Sequence, residues 1–207
     1  MQKPEQISLY FLNNLKNIRY FVEISEVHLK EELIRYSESD METNASEFCD
    51  RYQFRTDLDT HFQTDFPQYQ KQSHLLMLVS FFEDYLNQLC HSICFERALT
   101  CDLKDIAGSG IERAKKYLKK VACVQIPTDT KYWNKIIEAR DIRNIVAHNA
   151  GHLNEEAHKK HFQIIEINSH LDSEEFARVH LNIKQDYLFE VITAMENLVE
   201  AVWKIMK

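Results

Sequence analysis

Apolar residues recur every three or four positions along most of this chain, with polar residues filling the intervals, as in amphipathic helices. Leu9, Leu12, Leu15, Ile18 and Val22 form one such stripe, resumed by Leu29 and Leu33, so residues 5–36 are predicted to be one long helix. Residues 37–70 are polar and acidic; they are predicted to hold one short helix from Ser46 to about Phe62, with a stop at Pro67. The strongest core signal follows over 70–97. There Leu75, Leu78, Val79, Phe82, Leu86, Leu89 and Ile93 keep helical spacing, and Met77, Phe81 and Tyr85 add a second stripe. A helix apolar on two faces belongs at the centre of a bundle. Gly108-Ser109-Gly110 breaks the pattern, a short basic helix is expected over 111–123, and Pro127 breaks the chain again. Thr128 or Asp129 is placed to cap a helix over 131–148 that stops near Gly151. Residues 154–168 read as helical. Residues 169–183 are ambiguous, with a short extended piece at 179–183. The last helix, 184–206, carries Leu188, Val191, Ile192, Met195, Leu198, Val199, Val202 and Ile205 on one face.

These elements make an all-α helical bundle with long N-terminal and C-terminal helices. It is expected to be a single domain over residues 1–207, in which 1–69 can be a helical extension. Composition agrees: only 3 Gly and 3 Pro occur in 207 residues, which excludes a turn-rich β-sandwich or a Gly-rich flexible chain. No apolar run approaches the roughly 18 residues needed to span a bilayer, and residues 1–20 are too polar for a signal peptide, so a cytoplasmic protein is expected. Five cysteines without zinc spacing then read as reduced core thiols. The net charge of −7 is unevenly spread: −7 over residues 1–100, +4 over 101–160 and −4 over 161–207. A basic middle on an acidic body is compatible with a local phosphate-binding surface.

The segment from Tyr132 to Gly151 is chemically unusual. Trp133, Ile136 and Ile137 start an ordinary core stripe, but steps of three and four continue it onto Arg140, Arg143, Asn144, Ala147 and His148. Ile142, Ile145 and Val146 supply a second apolar face. Burying Arg, Asn and His without partners costs several kcal/mol, so these groups must meet an ion-pair network, a subunit interface or an anionic ligand. Asn144 and His148 are i,i+4 neighbours; Arg143 and His148 are about 140° apart around the helix, so the pair needs a long reach or a second copy of the helix.

Arg143-Asn144-Ile145-Val146-Ala147-His148 resembles the R-x4-6-H motif of HEPN (higher eukaryotes and prokaryotes nucleotide-binding) domains, including the polar residue after the arginine. The flanking helix, the preceding long helix and the final amphipathic helix are similar to the family's bundle, over roughly residues 70–206. The resemblance implies a metal-independent endoribonuclease of toxin–antitoxin or phage-defence systems, with no cofactor. Its active site would lie between two protomers, each presenting one motif. His148 would act as base or acid, Arg143 would hold the scissile phosphate, and Asn144 would orient His148 or the phosphate, leaving 2′,3′-cyclic phosphate ends. Glu83 resembles an acidic position opposite the motif that could pair with Arg143. RNA would be tracked by Arg140, Lys115, Lys116, Lys119 and Lys120. An antitoxin or defence-system protein is the implied partner besides RNA and a second copy, and no membrane is involved. Some family members carry a modified tyrosine two residues after the histidine. Ala150 stands there, which puts that regulation in doubt.

Plainer readings stand beside this one. Arg143 and His148 could complete a polar network within the bundle, or the chain could be a non-catalytic binding module or an interaction protein whose polar stripe is a dimer seam. His148 and His152 are spaced like metal ligands, but Gly151 falls between them and no third ligand is in view, so no metal is expected. Cys90, His91 and Cys94 mimic ligand spacing while fitting two core thiols and one surface imidazole. A basic run such as Arg113, Lys115, Lys116, Lys119 and Lys120 is more often a solvated face than a binding patch. No Gly-rich phosphate loop or serine-nucleophile motif occurs.

Overall fold

The computed structural model describes residues 2–38, 61–153, 159–175 and 179–206. Helix α1 spans Pro4–Glu38, and a single π-helical turn at His61–Asp65 leads directly into α2, Phe66–Glu96. A 3-10 turn at Leu103–Asp105 precedes α3, Gly110–Lys120, and then α4, Lys131–Asn149. Strand β1 (His152–Leu153), α5 (Lys159–Ile167), β2 (Leu171–Glu175), β3 (Val179–Ile183) and α6 (Gln185–Met206) complete the order.

Helix α2 is the centre of the bundle, with Leu75, Leu78, Val79, Phe82, Leu89 and Ile93 fully buried, and α1, α3, α4 and α6 all pack on it. Its second stripe is graded: Tyr85 is buried, Met77 half-buried and Phe81 exposed. Helix α1 joins the same core through Ile7, Phe11, Leu15, Ile18 and Val22. The stripe therefore starts at Ile7 and Phe11, and Leu9 is 53% exposed, contrary to the sequence expectation. The reason is aromatic packing. Phe11 stacks on Tyr85 with centroids 4.6 Å apart, and Ser8 bonds the Tyr85 hydroxyl at 3.0 Å, which fixes the rotation of α1. The buried edge of α6 runs from Tyr187 to Val202, and Ile205 is exposed.

Pro67 lies in the first turn of α2, where a missing N–H costs nothing, so it helps start this helix instead of ending an earlier one. The short helix expected from Ser46 falls almost wholly outside the described residues, as do 154–158 of the segment read as helical from 154. The cap of α4 is Thr130, whose Oγ1 accepts from the Trp133 N–H at 3.3 Å; neither Thr128 nor Asp129 does this.

The bundle is mostly helical but not purely so. β1, β3 and β2 form a small antiparallel sheet in that order. The extended piece expected at 179–183 is the strand β3, with Leu181 and Ile183 buried. Its partner β2, Leu-Asp-Ser-Glu-Glu, has too little apolar pattern to be read as a strand and is ordered by pairing with β3. No described helix is long and apolar enough to cross a membrane.

Candidate functional site

Helix α4 is built as a wedge. Trp133, Ile136, Ala139, Ile142, Ile145 and Val146 are all buried, so its two apolar faces merge into one core through the small Ala139. The remaining stripe grades outward: Arg140, Arg143 and Asn144 are half-buried, and Ala147 and His148 are exposed. The polar replacements of the core stripe thus emerge at the surface toward the helix C-terminus.

Arg143 donates from Nη2 to Glu83 Oε1 at 3.0 Å, joining α4 to α2, with side chains 19% and 27% exposed. The Arg143 Nε–H is buried and has no partner among the described residues, so this guanidinium holds one acceptor and retains unused donors. The Glu83 carboxylate lies against the first turn of α3. A Cβ on Gly110 (φ +55°) would come within 2.7 Å of Glu83 Oε1. Glycine adopts that backbone without strain and leaves the carboxylate where it is, whereas a Cβ would push it aside; the helix N-terminus adds a favourable field for the carboxylate.

Arg140 is differently placed. It reaches Asp141 Oδ1 at 2.7 Å from Nη2 and Glu112 Oε1 at 3.4 Å from Nη1. Two carboxylates already share it. Among the basic residues of α3, Lys115 lies over the Trp133 ring at 5.1 Å and within 3.6 Å of Glu112, and Lys119 donates to Thr128. Lys116 and Lys120 are exposed. Of the five residues expected to track RNA, these two face solvent without an ion pair among the described residues. Asn144 follows Arg143 directly and lies one turn before His148. The structure therefore brings Arg143 and Glu83 into contact, and places Asn144 and His148 on the same exposed end of α4.

The helix ends in a strained turn. Ala150 adopts a left-handed conformation (φ 51°), its N–H capping Ile145 O, and Gly151 follows at φ 77°. Beyond it, β1 pairs with β3 and sets His152 opposite His180, with rings 4.3 Å apart and edge-on at 70°. Tyr69, Gln72, His152, His180 and Asn182 help to line a cleft there. Of these residues the sequence reading singled out only His152, and as a candidate metal ligand; their grouping was missed because they come from three distant segments.

The other end of α4 also carries a cluster not foreseen from sequence. Lys135 bridges Glu138 at 2.9 Å and Glu190 at 3.0 Å, and lies over the Tyr187 ring at 5.1 Å. His170 stands 3.4 Å from Glu190, and Asn168 donates to Glu138 at 3.2 Å. Burial and the neighbouring carboxylates, Glu138 foremost, hold the Tyr187 phenol well above its ordinary pKa, so it stays neutral.

The expectation of core thiols holds fully only for Cys90: Cys94 and Cys101 are half-buried, and Cys123 is exposed on the turn after α3. Cys90 is buried beside α3, and burial pushes its thiol up to about 12, which leaves it protonated and inert. His91 instead meets Asp102 at 3.3 Å. Among the described residues no group of three or more His, Cys, Asp or Glu could hold a metal ion. The chain matches no family model, no curated protein and no solved structure.

Proposed function

We propose that this chain is a metal-independent endoribonuclease of the HEPN type, a cytoplasmic homodimer acting as a toxin or phage-defence effector. One observation carries the reading. On the same helix end, a half-buried arginine with unused donors is steadied by Glu83, while Asn144 and an exposed His148 follow it. That set supplies an anion clamp and a proton carrier from this chain's own side chains.

In the proposed reaction the ribose 2′-oxygen forms a bond to phosphorus as the bond to the 5′-oxygen breaks. One His148 takes the 2′-hydroxyl proton or delivers a proton to the leaving 5′-oxygen, and a second copy in the dimer cleft supplies the complementary step. Arg143 binds the phosphate and the charge it gains in the transition state, and Glu83 fixes the direction of the guanidinium. Asn144 orients His148 or the phosphate. Lys116 and Lys120 are the residues best placed to follow the RNA backbone.

Incubation with total RNA in EDTA, beside His148→Ala, tests this. Wild-type cleavage leaving 2′,3′-cyclic phosphate ends is expected, with a loss of about 10²–10⁴-fold in the variant. Equal cleavage by both proteins removes His148 from the chemistry. A second reading, a non-catalytic module of the same fold holding RNA, a nucleotide or a protein partner, is favoured by the carboxylates already on Arg140 and Arg143. It predicts RNA binding without turnover.

A further inference from the structure

Just past the C-terminal end of α4 lies a cleft of about 350 Å³, lined by the start of α2, the β1 strand and the β3 strand. That volume falls at the lower end of the roughly 300–1,000 Å³ typical of small-molecule sites. Its walls combine ring faces with side-chain amides. On β3, Leu181 and Ile183 turn into the core, so His180 and Asn182 face the other way, and His152 lies beside His180 across the sheet. Tyr69, on the first turns of α2, is 60% exposed and stands at the rim.

The amides are held in place by the backbone. Gln72 donates from Nε2 to Leu181 O at 3.4 Å, and Gln68 Oε1 accepts from the Ile183 N–H at 2.8 Å. Each bond uses one end of its amide. Gln72 Oε1 and Gln68 Nε2 thus remain for a further partner among the described residues, an acceptor and a donor on one wall. Among the described residues no lysine or arginine lines the cleft, and Asp65 does. A phosphate is therefore disfavoured, whereas a planar ring with hydrogen-bonding edges finds aromatic faces to stack on and amides to read it.

We propose that this cleft binds one unpaired nucleobase of the RNA, the base flanking the cleaved phosphate. The proposal rests on the ribonuclease reading for its position. Ala150, at the lip of the cleft, follows His148 by two residues, so their Cα atoms are at most about 7 Å apart. The site would then read sequence at the neighbouring nucleotide, with Tyr69 as stacking platform and Asn182 and the two glutamines as edge readers.

Saturation-transfer NMR on the full chain, with adenosine, cytidine, guanosine and uridine as probes, tests the cleft without requiring catalysis. Saturation of base protons is expected with wild type and with His148→Ala. Tyr69→Ala should weaken nucleoside binding about tenfold, as loss of one stacking ring does. Asn182→Ala should weaken it too, and gives an independent readout should Tyr69→Ala fold poorly. No saturation by any nucleoside, wild-type affinity in both variants, or ribose 5-phosphate bound as well as the nucleosides would overturn the proposal. Nucleoside binding in a protein that cleaves no RNA would keep the cleft and discard the ribonuclease reading. Cleavage without nucleoside binding would do the reverse.

Discussion

The two ends of α4 solve the same problem in opposite ways. Near its N-terminus, Lys135 has two carboxylates and an aromatic face, and its neighbours Glu138 and Glu190 have second partners in Asn168 and His170. Any single contact there can be lost without stranding a charge. Near its C-terminus, Arg143 has, among the described residues, one carboxylate and a buried Nε–H without a partner, with an exposed histidine beyond it. A closed network stabilises and does little else; an incomplete one keeps donors for a ligand. That difference is why we propose the functional site at the C-terminal end and read the other as structural.

The largest effect that could break this comparison is at Glu83. Replacing it by Gln removes the sole charged partner of Arg143 among the described residues, and a half-buried cation left so costs about 1–3 kcal/mol. Thermal unfolding should fall by several degrees, at about 2–4 °C per kcal/mol for a chain of this size. Lys135→Met at the other end should cost about 1 kcal/mol or less, because Asn168 still serves Glu138 and His170 still serves Glu190. Equal losses at the two ends, measured side by side in low salt, would mean that redundancy does not separate them.

How much of this was readable in the sequence differs between the two ends as well. The helices were legible because burial imposes a 3.6-residue period, and α2 and α6 follow it closely. The polar turn of the stripe at Arg140, Arg143 and Asn144 was legible for the same reason: it violates the period. Glu83 opposite Arg143 was reached through resemblance, since nothing in a single sequence says that residues 83 and 143 meet. Lys135, Glu190 and His170 went unread because each is an ordinary polar residue on its own helix or loop, and only packing brings them together. The rotation of α1 was misjudged at Leu9 since Ile7 and Phe11 serve the stripe equally well. Tyr85, a residue of another helix, decides between them. The strand β2 was illegible because its order comes from β3 and not from its own residues.

The smallest effect would sharpen the comparison at the backbone. Ala150 sits at φ 51°, where a Cβ costs about 1–2 kcal/mol, and its side chain is exposed, so it repays nothing by packing. Glycine would relieve that strain but widen the unfolded ensemble by about 0.4–1 kcal/mol. The balance favours Ala150→Gly by about 0.5–1 kcal/mol, a rise of roughly 1–4 °C in unfolding temperature. The strain lies at the end of α4 that holds His148 and the cleft, where a fixed turn sets the distance between them. Stability should therefore rise in the variant while cleavage, once measured for wild type, stays level or falls. A lower unfolding temperature would show that the methyl group makes a contact worth more than the strain, and the C-terminal end would then be no less closed than the other.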